Sequence, residues 1–177
     1  NEKHLLLTIL LPYAKDEAEK FQLRVYDDQM HQEWTRDVTM PYTDKEFSVE
    51  EFRVDNDGEV LVLGVKHDEK REARAKKREG KVSYTYHLLG YGASGEPTDH
   101  TIMAGERFLQ DLTLSLDSSS GPILCGGLYG NKGSNKVRGA FFMSLDPRTK
   151  AITHESYKEF TDEFITQYMT AKEEEKA

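Results

Sequence analysis

With 177 residues, 37% of them hydrophobic and 32% charged, the chain is long enough to form one domain with a sizeable core. Its 32 acids against 24 bases leave a net charge of −8, which argues against a general nucleic-acid footprint, and no apolar run approaches the roughly 18 residues of a membrane span. A single cysteine, Cys125, excludes an internal disulfide and a cysteine-based metal cluster.

In chain order, residues 4–12 (HLLLTILLP) read as a buried strand, because Thr8, Ile9 and the closing Pro12 favour a strand over a short core helix. This opening run lacks the basic start and the small-residue cleavage site of a signal peptide. A first residue other than Met implies processing or truncation upstream. Tyr13–Lys20 is a charged connection with some helical propensity. Phe21–Tyr26 alternates cleanly as Phe21, Leu23 and Val25, a turn follows at Asp27–Gln29, and His31–Val38 carries Trp34. These three strands match a four-strand pattern whose first member is missing.

At Phe47 the pattern restarts. Phe47-Ser-Val-Glu-Glu-Phe52 resembles Phe108-Leu-Gln-Asp-Leu112, a third start stands at Phe160, and the repeat puts Val54 with Leu116 and Leu63 with Cys125 at matching inward or central positions. The interval from Phe108 to Phe160 is close to the roughly 50 residues of a kelch-type repeat. The interval from Phe47 to Phe108 is longer, and the excess falls in Lys66–Lys81, with eight bases and four acids, between the second and third strands of that unit. From Phe108 onward, Asp111–Asp117, Pro122–Tyr129, Gly139–Asp146 and Ala151–Phe160 are four short runs. Turn chemistry separates them at Ser118–Gly121, Gly130–Asn135 and Asp146–Lys150. Four antiparallel strands joined by tight turns make a propeller blade. After Phe160 the apolar spacing becomes helical through Phe164, Ile165, Tyr168 and Met169, with Thr161 or Asp162 as the N-cap. The expected fold is therefore all-β, an incomplete β-propeller of two to three four-stranded antiparallel blades with a short C-terminal helix. Residues 1–46 are a partial blade, 47–107 a complete blade with the charged insertion at 66–81, 108–160 a complete blade, and 161–177 the helix and tail.

The chemistry-bearing motifs give mostly structural readings. Asp55-Asn-Asp-Gly58 looks like a calcium loop, but counting back from Gly58 puts Arg53 at the first ligand position, so a hairpin turn is expected. Gly126–Gly133 has its lysine before the glycine and between strands, unlike a phosphate loop. His4, His31, His67, His87, His100 and His154 show no metal spacing, and Ser94, Ser119 and Ser134 sit in turns without a nucleophile elbow. No catalytic, cofactor-binding or metal-ligating residue is assigned. The basic run Lys66–Lys81 reads first as a solvated extension or short helix, and second as a patch for an anionic partner such as polysaccharide or nucleic acid.

The stretch Phe47–Gly58 (F-x-V-E-E-F-x-V-D-x-D-G), the Gly126–Gly127 pair and Gly139–Lys150 together resemble β-propeller proteins of Bacteroidetes-type bacteria, a loosely kelch-like group of longer, usually exported chains. The resemblance covers roughly residues 5–170 by repeat pattern. It implies an extracytoplasmic propeller fragment, periplasmic, surface-bound or secreted, and carries over no catalytic or ligand residue.

Function is then expected to be non-catalytic: a binding or scaffolding segment for a protein or glycan, with no nucleic acid favoured and no membrane span. Open blade faces and an unfinished first blade predict self-association. The rival reading is part of a propeller enzyme, for example a carbohydrate-active one, whose site needs blades absent from this chain.

Overall fold

The computed structural model describes residues 3–78, 82–105, 107–116, 121–131 and 136–167. Among the described residues, eleven strands and two short helices follow one another as β1 (His4–Leu11), β2 (Ala18–Asp27), β3 (Gln32–Thr43), β4 (Phe47–Val54), β5 (Val60–His67), α1 (Lys70–Arg78), β6 (Tyr84–Tyr91), β7 (Thr98–Ile102), β8 (Phe108–Leu116), β9 (Ile123–Gly130), β10 (Val137–Leu145), β11 (Ile152–Glu159) and α2 (Asp162–Thr166). They form three antiparallel meanders: β1–β2–β3, then β4–β5–β6–β7, then β8–β9–β10–β11. Each sheet takes its strands in sequence order, so hairpins join neighbours throughout, as in propeller blades.

The sheets stack in sequence order, and the middle one is buried on both faces. Its strand β5 (VLVLGVKH) reads as a nearly continuous apolar run because alternate residues enter different cores. Val60 and Val62 meet Phe21, Leu23, Val25, Val38 and Met40 of the first sheet. Leu61, Leu63 and Val65 meet Leu112, Leu114, Cys125, Phe141 and Met143 of the last. Strand β6 divides likewise, Leu89 and Tyr91 facing one way, Tyr86 and Leu88 the other.

The two four-stranded sheets share a local device. The β4–β5 register shifts between Val49 and Glu51, and the β8–β9 register shifts between Leu109 and Asp111. Such bulges bend a strand and raise its twist. Beside the second bulge, a Cβ on Gly127 would lie 2.0 Å from the Asp111 carbonyl oxygen, so only glycine fits there. The paired-glycine signal thus reports a close approach of backbones at Gly127, while Gly126 has room.

Several boundaries differ from the sequence reading. Ala18–Lys20 belongs to β2 rather than to a helix-prone connection, since Lys20 pairs with both Leu11 and Thr39. Strand β3 runs on past Val38 to Thr43 through Pro41, which an edge strand tolerates because its outer side needs no amide donor. Lys66 and His67 complete β5, so the charged insertion starts later than residue 66. The repeat made Leu63 equivalent to Cys125, yet both enter one core from opposed sheets. Val62, which faces the preceding sheet, shares the aspect of Cys125. A one-residue slip in matching the repeats moves every side chain to the other face.

α1 carries the insertion between β5 and β6. Thr161 caps α2, its Oγ1 accepting from the Phe164 amide at 3.2 Å. Phe160 and Phe164 make the expected apolar pair at 4.6 Å, although Phe164 stays 51% exposed. Tyr168, Met169, the 171–177 tail, Ser119, Ser134 and most of the turns at 118–121 and 130–135 lie outside the described residues. Among the described residues no helix is long and apolar enough to cross a membrane.

Candidate functional site

Strands β1, β4 and β8 are each an edge of their own sheet, and their edges converge. β4 and β8 run in the same sense, so that Val54 and Leu116 end together, whereas His4 at the start of β1 meets Asp55 beyond the end of β4. β1 therefore runs against β4. Between the three edges lies a groove of about 580 Å³. Leu5, Leu6, Phe52, Leu114 and Leu116 give it apolar walls, while His4 and Arg53 bring polar groups to it. Glu51 organises one side: its carboxylate accepts from the Leu114 amide and pairs with Arg53 at 2.6 Å. An open strand edge presents unpaired backbone groups. Glu51 occupies one of them and leaves Arg53 half exposed over the groove.

At the end of this groove a polar cluster ties all three sheets together. His4 Nδ1 lies 3.1 Å from the Asp55 carbonyl and its Nε2 3.0 Å from Glu33. Trp34 Nε1 donates to the Gly58 carbonyl at 3.0 Å. The Asp55 carboxylate accepts from the amides of Asp57 and Glu59, and Gly58 takes φ +77°. The Asp55–Gly58 segment is thus the hairpin turn its composition requires. Burial pushes the Asp55 carboxyl above its ordinary range, with the Glu59 and Asp57 amides pulling the other way. Lys150 reaches in from the β10–β11 turn to Glu59 at 2.8 Å.

At the opposite end, a chain of polar groups crosses from the first sheet to the middle one. Tyr42 of β3 donates to Asp99 of β7 at 2.6 Å. The other Asp99 oxygen lies 2.7 Å from His87 Nδ1, and His87 Nε2 lies 3.0 Å from Thr85 Oγ1. Tyr42 also stacks on Phe47 and carries the Lys66 ammonium 4.2 Å above its ring. Desolvation, helped by the Asp99 bond, pushes the Tyr42 hydroxyl up to about 12. The sequence reading missed this chain. His87 and Asp99 sit on adjacent strands without facing each other directly, Leu89 being the residue opposite Asp99. A diagonal contact of this kind becomes visible only once the β6–β7 register is known.

Other histidines, assigned no site role from the sequence, stay dispersed. His31 pairs with Asp27 at the first hairpin, His67 approaches Ser48 at 3.4 Å, and His154 packs near Phe142. Among the described residues no group of three His, Cys, Asp or Glu side chains is arranged to hold a metal ion. Burial pushes the Cys125 thiol up to about 12, so at neutral pH it behaves as a small core residue.

No family model matches the chain, and no curated protein matches it. Among solved structures it is similar to an ACO/RPE65 chimera, with TM-score 0.48 and 10% identity over 87% of this chain and 34% of that one. A mutant of Synechocystis apocarotenoid oxygenase gives TM-score 0.48 and 10% identity over 87% of this chain and 35% of that one. Cobalt-substituted Synechocystis ACO gives 0.46 and 10%, over 86% and 34%. The chain spans about a third of the length of these proteins.

Proposed function

We propose that this chain is a binding segment of a propeller-type protein and that it takes an extended protein segment into the groove between β1, β4 and β8. The observation that carries this reading is the convergence of three strand edges on apolar walls, with one half-exposed arginine at the rim. Backbone groups along open edges supply the hydrogen bonds by which an added strand gains affinity, and apolar pockets beside them supply specificity. A glycan is the less suited occupant, because sugar faces stack on aromatic platforms and, among the described residues, Phe52 is the one phenyl, phenol or indole side chain lining the groove. Placement among exported, kelch-like proteins belongs to the same reading and rests on the Phe47–Gly58 and Gly139–Lys150 resemblance.

The test is a calorimetric comparison of extended peptides, apolar at alternate positions and carrying one acidic residue, with a panel of neutral and acidic oligosaccharides. Peptide binding that Arg53→Glu weakens is the expected result. Oligosaccharide binding without peptide binding overturns the assignment.

The Thr85–His87–Asp99 chain is the specific observation favouring the rival reading, part of a propeller enzyme. Its spacing is that of a hydroxyl, an imidazole and an orienting carboxylate. Activity against an ester substrate that disappears in both Thr85→Val and His87→Gln would move the assignment to an enzyme.

A further inference from the structure

We infer a second, separate ligand site between the middle and last sheets, at the other end of β8 from the groove, shaped for a small carboxylate with a compact apolar body.

The site arises because β7 is short. Tyr86 is the last β6 residue with a partner on β7, so Tyr84 and Thr85 have none there. The chain turns away after Ile102 and re-enters at Phe108 to begin β8. The space left is a pocket of about 390 Å³, within the roughly 300–1,000 Å³ range of small-molecule sites. Tyr84, Tyr86, Ile102, Phe108 and Leu109 wall it. The Tyr84 hydroxyl donates to the Leu109 carbonyl at 2.7 Å, so it ties β6 to β8.

Two cations line the same pocket, and they are held differently. Lys76 of α1 is paired with Asp68 at 2.7 Å, so its charge is already met. Arg107 is placed by a tight turn, its amide donating to the Ala104 carbonyl at 3.1 Å, with Gly105 at φ +59°. Its guanidinium lies 3.9 Å from the centre of the Tyr157 ring and 5.7 Å from that of Tyr129. Stacking on a ring face fixes a guanidinium without neutralising it, and its five N–H donors exceed the one bond that the Tyr157 side chain draws from it. Among the described residues no carboxylate forms an ion pair with Arg107. A guanidinium immobilised beside an aromatic pocket, with no carboxylate among the described residues paired to it, is the arrangement that recognises a carboxylate, because the planar fork matches it in a bidentate way.

The experiment titrates the folded chain at low ionic strength with benzoate, benzyl alcohol and inorganic phosphate, read by calorimetry and tyrosine fluorescence. Benzoate is expected to bind saturably, with benzyl alcohol and phosphate each weaker by about tenfold or more, since each lacks one half of the recognition. Arg107→Gln is expected to weaken benzoate by about tenfold at an unchanged thermal midpoint, one charge-assisted contact being lost. Should that variant fail to fold, Met103→Trp, at a 65% exposed position of the lining, is expected to block benzoate instead. The inference is overturned if benzoate does not bind, if the three probes bind alike, or if the folded variant binds benzoate as the parent chain does.

Discussion

Lys150 Nζ lies 2.8 Å from Glu59 Oε2, and its side chain is only 3% exposed. The pair joins the β10–β11 turn of the last sheet to the head of β5 in the middle one, and the same ammonium also donates to the Pro147 carbonyl. Removing one partner of a buried ion pair is costly because the other charge is left without compensation. Here Glu59 stands close enough to Asp55 to oppose the ionisation of the Asp55 carboxyl. Lys150→Met is therefore expected to destabilise the fold by roughly 2–3 kcal/mol, below the full cost of a buried pair because Glu59 keeps some solvent contact. Lys150→Met combined with Glu59→Gln is expected to recover more than half of that loss. Urea denaturation of the two variants measures both; equal losses would show that the ion pair is not the link.

The Tyr42–Asp99–His87 chain is a second inter-sheet link, and its members are expected to act as a unit. Asp99→Asn alone should cost about as much as Asp99→Asn with Tyr42→Phe, on the order of 2–3 kcal/mol, because the aspartate is the shared acceptor. A double-mutant cycle by chemical denaturation checks this. Additive losses would mean that the two hydrogen bonds are independent.

Alkaline pH should unfold the protein progressively. Burial pushes the hydroxyls of Tyr42, Tyr86, Tyr91 and Tyr157 up to about 12 from the ordinary 10.0. It also pushes the Cys125 thiol up to about 12 from 9.0. A group whose folded value is raised holds its proton longer in the native state than in the unfolded chain. Its stabilisation is present in full below the unfolded value and is lost as pH climbs toward the folded one. Stability should thus be level up to about pH 9 and fall steeply between about pH 10 and 12. Urea midpoints measured across that range should fall together with the rise of tyrosinate absorbance. Early, stability-neutral ionisation of all nine tyrosines would contradict the burial.

Most of the β architecture was legible because period-two alternation and turn residues are local signals. Leu112, Leu114 and Phe141, Met143 alternate as half-buried strands do, and Asp55–Gly58 announces its own turn. Three features were not legible. Ala18–Lys20 looks helical in isolation but is drafted into β2 by Leu11 and Thr39 on either side. Leu63 takes the face opposite to the one the repeat gives it, because β5 is apolar on both faces and alternation gives no phase. The groove, the His87 chain and the Arg107 pocket each join residues from two or three sheets, and no local pattern encodes sheet stacking.

Unfinished edges and faces should show in solution. Leu5, Leu7 and Leu10 on edge strand β1 are 50%, 44% and 59% exposed, and Phe142 and Ile152 on the last sheet are 40% and 39% exposed. β1 carries none of the lysines or acids that usually guard an edge. The isolated chain is therefore expected to associate reversibly with rising concentration in sedimentation experiments, and Leu7→Lys is expected to suppress this. A chain that stays monomeric at every concentration would show that these surfaces are sufficiently closed.

Amide hydrogen exchange, with and without a bound extended peptide, tests groove binding most directly. Peptide is expected to slow exchange selectively in Leu5–Thr8, Phe52–Val54 and Leu114–Leu116, and Arg53→Glu is expected to abolish the effect. Protection confined to the outer strands β3, β7 or β11, or protection unchanged by Arg53→Glu, would contradict it.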